Sequence, residues 1–488
     1  MKKLIYPLIY IACSMLTSCS DSFLEVVPMG QRVASTTADY DLLMNNMDFY
    51  RDQSYSINGW LEPQLMGDEA AASGAYLMQS PVHAVRLFQW QGTVYQQNDQ
   101  IPTFLRSSVT NIYTFNKVIA EVMDATNGTT QQKEILRAEA RASRAWTNFQ
   151  MINYYAKPYA AATAATDPGF PIIDKADATI PSYNRGTVQQ MYDFIISDLT
   201  EAIKVLPVTP RIRTRFSKAA AEGLLGKVYL FMGRTSDALP LLNAAFADLA
   251  QSEVKLYDYN VTLGPNGTFL PADPNYGPAG PGNDFNDFTE DILSKIFTND
   301  PQSPWYVTTR GLGLTAQAAA LFDSRDLRLK LYSSNTVDGT PDPNGLLRKY
   351  GVRYSRFGLQ LSELYLLRAE CKARLDDLTG AVADLEMLRR NRMPADAYAV
   401  PAVAAGDKNA LVHFVIDERI REFALEGYRW FDMRRLSVDP LFAGITFTHT
   451  VYNADGTVSN YTLQQPDRLV MQIPELFILS NPGMQNNP

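Results

Sequence analysis

Leu225-Gly226-Lys227-Val228-Tyr229-Leu230-Phe231-Met232-Gly233-Arg234-Thr235-Ser236-Asp237-Ala238 is the stretch whose reading decides the architecture. Its small residues stand where two helices joined by a tight turn must approach one another. Gly226 has no side chain to hold the second helix away, and Ala238 offers an equally small surface opposite it.

The same arrangement returns, more loosely, at residues 361–392. Ala369 is followed by Ala381 at the same 12-residue interval, Asp376-Asp377-Leu378-Thr379-Gly380 supplies the turn, and Leu385 and Leu388 fill the second helix. These offsets are similar to those of tetratricopeptide helix pairs, an architecture suited to scaffolds and binding surfaces. Outward from the pairs, helical periodicity continues. Ile135, Ala138, Ala142, Ala145, Trp146, Phe149 and Ile152 form one face of a helix over Glu134 to Tyr155, closed by Lys157-Pro158. Val188 to Leu206 reads alike, through Met191, Ile195 and Leu199 to Pro207. Helical pairs are therefore expected at about residues 100–250 and 358–435.

Between them, about residues 257–350, the composition changes. Pro271-Ala-Asp-Pro274-Asn-Tyr276-Gly277-Pro278-Ala-Gly280-Pro281-Gly282 and Pro341-Asp-Pro343-Asn344-Gly345 are loop chemistry. A loop-rich insertion this long is often functional. Asn453-Ala-Asp455-Gly456 separates Ile445–Tyr452 from Val458–Leu463 and predicts a β-hairpin. The expected fold class is mainly α, with minor strand content.

The N-terminus reads as an export signal. Met1-Lys2-Lys3 is cationic, Leu4 to Leu16 is mostly apolar and uncharged, and Leu16-Thr17-Ser18-Cys19 places small residues before a cysteine. The apolar run is shorter than the ~20 residues that a spanning helix needs. Leu-Thr-Ser-Cys resembles the bacterial lipobox, which implies cleavage before Cys19 and acylation of its thiol. The expected division is a signal over 1–18, a flexible tether over 19–31 and one domain over 32–488. Without Lys2 and Lys3 the formal charge falls from −8 to −10, with 42 basic residues against 52 acidic. No basic run marks a nucleic-acid face. Cys13 leaves with the signal and Cys19 takes lipid, so Cys371 stands alone, a small buried hydrophobe in a helix.

Little suggests catalysis. His83, His413 and His449 lack metal-ligand spacing, and no P-loop, Gly-x-Ser-x-Gly elbow or dinucleotide fingerprint occurs. No cofactor is expected. A helix starting near Leu411 and running to Arg435 carries an apolar stripe of Ile416, Ile420, Phe423, Gly427 and Phe431. Glu418–Arg421 and Glu426–Arg429 are i,i+3 pairs on it. Such regularly spaced charges are read as ion pairs that tie helices together.

That helix also carries a family likeness. Glu418-Arg419-x-x-Glu422-Phe423-Ala424-x-Glu426-Gly427-x-Arg429-Trp430-Phe431-Asp432-x-x-Arg435 resembles the C-terminal signature of the SusD/RagB family. Segments at Leu136–Ala145, Tyr192–Leu199, Glu363–Glu370 and Ile473–Pro488 resemble other parts of it, in order. The resemblance implies a surface-exposed outer-membrane lipoprotein with tetratricopeptide-like helices. Such a protein captures a nutrient, most often a glycan and in some members a peptide, and hands it to a SusC-like TonB-dependent transporter. An adhesin or assembly scaffold holding a protein partner is the other class compatible with helix pairs. No binding residue transfers from the signature, so the candidates come from chemistry. Sugars stack on aromatic rings and hydrogen-bond to amides, carboxylates and guanidinium groups. Trp305 and Tyr306 after the Pro/Gly-rich run come first, then Tyr276 within it, then Trp60 beside Asn58-Gly59 together with Asp68. Trp90, alternating with Phe88, is read as core in a strand or turn. For the lipid site, acyl-lipid label is expected to enter the wild-type protein and not Cys19→Ser; equal labelling of both removes the lipobox reading.

Overall fold

The computed structural model describes residues 34–52, 60–95, 102–299 and 311–488. The signal, Cys19 and the tether lie outside the described residues, as do Trp305 and Tyr306. The longer helices are α1 (Thr103–Glu121), α2 (Thr130–Tyr155), α3 (Val188–Ile203), α4 (Lys218–Phe231) and α5 (Thr235–Leu249) before the insertion. After it come α6 (Leu361–Arg374), α7 (Leu378–Arg390), α8 (Lys408–Phe423) and α9 (Tyr428–Leu436). Their starts follow local rules. Thr129 with Gln132, and Thr187 with Gln190, form capping boxes that satisfy the first free N–H groups of α2 and α3.

Neighbouring helices pack in sequence from α1 to α5, and α5 joins α6, which also contacts α7 and α8. The crossing of α4 and α5 is as close as the small residues predict: a Cβ on Gly226 would lie 2.7 Å from Leu242 Cδ2. The second turn is shorter than expected. Asp377 caps α7 by accepting from Gly380 N at 2.9 Å, so Thr379 and Gly380 belong to the helix. One large core runs from Trp60 to Met484 and includes Phe149, Leu225, Cys371 and Trp430.

Two small sheets join distant parts of the chain. The hairpin of Thr448–Tyr452 and Val458–Thr462 forms where expected, and Thr448–Tyr452 pairs in parallel with Ala70–Ser73, which in turn pairs with Leu312–Leu314. A second sheet orders Arg51–Asp52, Ile296–Thr298 and Tyr354–Arg356, so that the N-terminal segment, the middle of the insertion and the segment just after it share one sheet.

The helix expected to run continuously to Arg435 is two helices. Between α8 and α9 the chain turns through Leu425 at φ 63° and Gly427 at φ 90°. Long-range partners of the backbone explain the break. Lys349 Nζ donates to Ala424 O at 3.1 Å, Leu425 N donates to Glu69 Oε1 at 3.1 Å, and Trp60 Nε1 donates to Glu426 O at 2.7 Å. A Cβ on Gly427 would stand 3.0 Å from that indole nitrogen, so glycine is required twice over, for its φ and for space.

The charged residues of this region do tie helices together, although only one of the two i,i+3 pairs forms. Glu418 receives Arg421, Arg328 and Arg389, each at 2.7 Å, and is fully buried. Glu422 receives Arg392 at 2.9 Å and Arg328 at 3.0 Å. Glu426 pairs with Lys349 at 2.6 Å, and Arg429, beyond the break, pairs with Asp68 at 2.6 Å instead. Burial alone would raise the Glu418 carboxyl, but Arg328, Arg421 and Arg389 outweigh it and hold it far below the usual range. Removing one member of such a cluster strands the others, at a cost of about 3–5 kcal/mol. Glu418→Gln is therefore expected to lower unfolding free energy by that order in urea titration; a loss under about 1 kcal/mol would show the cluster to be dispensable.

Glu62 behaves in the opposite way. Its carboxyl is buried, accepts from Tyr95 Oη at 3.3 Å, and leaves Oε2 unpartnered. Burial raises it from 4.5 to about 7. A carboxyl whose folded value is raised contributes most below its unfolded value, and that contribution is lost as pH climbs to the folded one. Glu62→Gln is expected to gain stability over the wild type between pH 4.5 and 7, by up to about 3 kcal/mol at pH 8. A pH-independent difference in melting temperature would refute this.

Candidate ligand-binding face

The loop chemistry of the insertion becomes a built surface where residues 276–285 lie along the strand Tyr354–Arg356. Two glycines allow the approach. A Cβ on Gly277, at φ +74°, would fall 2.6 Å from Gly351 Cα, and one on Gly282 would fall 2.6 Å from Gly351 O. Tyr354 N then donates to Gly282 O at 2.7 Å. Asn283 clamps the same junction: its amide donates to Tyr276 O and to Pro278 O, and its Oδ1 accepts from Arg353 N at 3.2 Å. From below, buried Arg356 donates through Nη2 to Asp284 O at 2.6 Å and to Pro281 O and Phe285 O at 3.3 Å. Glu290, next along the chain, is fastened to Arg392 of the loop after α7 at 3.0 Å. Burial raises the Glu290 carboxyl, opposed by the Arg392 charge.

These anchors set out a continuous row of half-buried side chains. The Arg353 guanidinium lies 5.0 Å from the Tyr276 ring and 5.4 Å from the Tyr354 ring. Tyr354 meets Phe285 edge-on at 5.7 Å, and Arg51 covers Phe285 at 4.5 Å. Beyond Phe285 the row opens into a groove of about 940 Å³ lined by Tyr50, Phe288, Arg213, Thr214, Ser252 and Asn286, among others. That size suits a small ligand. Aromatic faces, guanidinium groups, hydroxyls and an amide side by side are the combination that a sugar's C–H face and hydroxyls require.

Of the residues chosen from sequence, Tyr276 stands in this row. Trp305 and Tyr306 lie outside the described residues; Asn299, shortly before them, donates its N–H to Arg353 O at 2.6 Å. Trp60 is corrected to a core residue. It is 2% exposed, stacked against Phe357 at 4.6 Å and Phe431 at 5.4 Å, with its indole N–H committed to Glu426 O. Asp68 is held by Arg429, at 2.6 Å to Nε and 3.2 Å to Nη2, so its carboxylate positions α9. Trp90 is core as expected, in the turn that follows the helix Val82–Phe88 and its C-cap Gln89. Sequence reasoning missed Tyr50, Arg51, Phe285, Arg353 and Tyr354. The aromatic and basic content of Tyr350-Gly-Val-Arg353-Tyr354 beside the insertion was a usable signal; its pairing with residues 51 and 285 was not. Among the described residues, no group of three or more His, Cys, Asp or Glu side chains could hold a metal ion, and no helix is long and apolar enough to cross a membrane.

Comparison with known proteins gives one consistent answer. A family profile described as starch-binding and associating with the outer membrane matches residues 22–230, and the SusD family profile matches residues 342–488. A SusD-like protein of Formosa agariphila is 22% identical over 380 residues, which cover 65% of this chain and 69% of that one. The fold is similar to that of a sugar-binding protein of Bacteroides vulgatus, described as putative, with TM-score 0.69, 20% identity, and coverage of 94% of this chain and 99% of that one. A SusD superfamily protein of Bacteroides thetaiotaomicron matches with TM-score 0.68, 18% identity, and coverage of 93% and 100%. A laminarin-binding SusD-like protein matches with TM-score 0.61, 17% identity, and the same coverage. The two profiles, spanning the first helices and the ion-paired α8–α9 region, place this chain in the SusD/RagB family.

Proposed function

We propose that this protein is a lipid-anchored, surface-exposed component of an outer-membrane nutrient importer. It captures an oligosaccharide on the Tyr276–Arg353–Tyr354–Phe285 row and passes it to a SusC-like TonB-dependent transporter. The row is the observation that carries the reading. Its rings are held half-exposed by Asn283 and Arg356, so little side-chain freedom is lost when a sugar stacks on them. A relative of the same fold described as laminarin-binding supports a glycan over a peptide. Anchoring through Cys19 and a position at the outer membrane rest on the N-terminal sequence and on the outer-membrane association of the matched family.

The test uses protein lacking residues 1–19 on an array of glycans and peptides, followed by calorimetry. A glycan hit is expected, weakened about tenfold by Tyr276→Ala or Tyr354→Ala, in line with ring contacts of about 0.5–1.5 kcal/mol each. Trp305→Ala is expected to weaken the same hit. Full-length protein extracted in mild detergent is expected to copurify with a large barrel protein. Peptide-only hits would move the reading to peptide uptake, and absence of both ligand and barrel would leave a scaffold.

A further inference from the structure

Many arginines elsewhere in this molecule meet carboxylates, although Arg185 and Arg434 are held by carbonyl and amide oxygens. Arg144 meets Asp198 at 2.7 Å, Arg328 meets Asp326 at 2.7 Å, Arg419 meets Asp432 at 2.8 Å and Arg435 meets Glu370 at 2.7 Å. The groove beside Phe285 departs from this habit. Arg213 lines it and is half-exposed, yet its hydrogen bonds go only to backbone: Nη1 donates to Phe288 O, and to Thr289 O and Asp291 O at 3.4 Å. Three carbonyls on one nitrogen fix the guanidinium plane and leave its other N–H groups without an acceptor among the described residues. Arg51 has no carboxylate partner among the described residues; its guanidinium rests 4.5 Å over Phe285. Exposed Lys255 lines the same groove and makes no ion pair among the described residues. Glu253 is the one carboxylate among the groove's lining residues.

Arg213 and Lys255 line the groove against the single acid Glu253, and Arg51 adds a third cation beside it on the Phe285 ring; in a chain of net charge −8 they form a local field opposed to the protein's overall charge. Tyr50, Phe285 and Phe288 supply ring faces between them, and Thr214, Ser252, Asn286 and Thr289 supply donors and acceptors for hydroxyls. A neutral sugar would use the rings and hydroxyls and leave the cations idle. A fixed guanidinium fork matches a planar carboxylate with two parallel hydrogen bonds. We propose that the groove formed by Arg213, Lys255 and Arg51 around Phe285 selects an acidic oligosaccharide, with a uronic-acid carboxylate seated on Arg213. This deepens the glycan-capture reading and rests on it.

Calorimetry with protein lacking residues 1–19 would compare uronic-acid oligosaccharides (oligogalacturonate, alginate and glucuronate-containing fragments) with their carboxyl-reduced counterparts and with a sulfated neutral oligosaccharide. At least one uronate is expected to bind ten times tighter than its reduced form, and to weaken severalfold between 50 and 300 mM salt. Lys255→Gln, an exposed change with no role in packing, and Arg213→Gln are expected to weaken the uronate about three- and tenfold. Both are expected to weaken the reduced form severalfold less than the uronate, so that the loss is tied to the carboxylate. Tighter binding of the reduced or the sulfated sugar overturns the proposal while leaving glycan capture standing. So does equal loss of charged and neutral ligands on Lys255→Gln. Failure of every saccharide to bind removes glycan capture itself.

Discussion

The Glu418 carboxylate, fully buried and surrounded by Arg328, Arg389 and Arg421, is the constraint on which the rest of the structure depends. A lone charge in that position would be prohibitively costly, so the site exists only when three separate parts of the chain deliver their guanidinium groups together. Arg328 comes from the insertion, Arg389 from α7 and Arg421 from α8 itself. Glu422 extends the demand to Arg392, and Arg392 to Glu290. An apolar contact tolerates sliding, whereas this network closes in one register alone. Replacing it with well-packed apolar groups would not necessarily reduce stability; its role here is to fix how the insertion docks on the helices.

That docking sets the candidate ligand-binding face. Glu290 is pinned by Arg392, and the residues before it pass over Arg356, whose Nη2 gathers three carbonyls of the loop. A Pro/Gly-rich segment with little structure of its own thus acquires fixed ring positions. Binding by pre-positioned rings needs less ordering than binding by free loops. The electrostatic pattern is divided along the same line: inside, α8 and α9 meet their charges at close range, whereas Arg213 and Lys255 in the groove and Arg51 beside it meet no carboxylate among the described residues.

Helices and their turns were legible because the forces that form them are local. A capping box, a 3.6-residue period and a glycine opposite an alanine all act within one or two turns, and the sequence shows them directly. The exception is instructive. The apolar stripe through Ile420, Phe423, Gly427 and Phe431 is an uninterrupted helical pattern, yet the helix breaks at Leu425. Lys349 and Trp60, remote in sequence, take the carbonyls of Ala424 and Glu426, and no local rule weighs such competitors.

By itself, the sequence determined the mainly helical class, the two close helix pairs, the loop-rich insertion, the hairpin, the lipobox-like Cys19 and the charged signature ending at Arg435. Tertiary structure alone decided which charges met and which rings stayed at the surface. Trp60 and Tyr276 both sit beside Asn and Gly, and nothing local separates them. One is stacked between Phe357 and Phe431, and the other stands beside Arg353 at the rim of the insertion. The physical reason is range: hydrogen bonds within a helix join residues four apart, whereas burial of a ring is settled by partners hundreds of residues away.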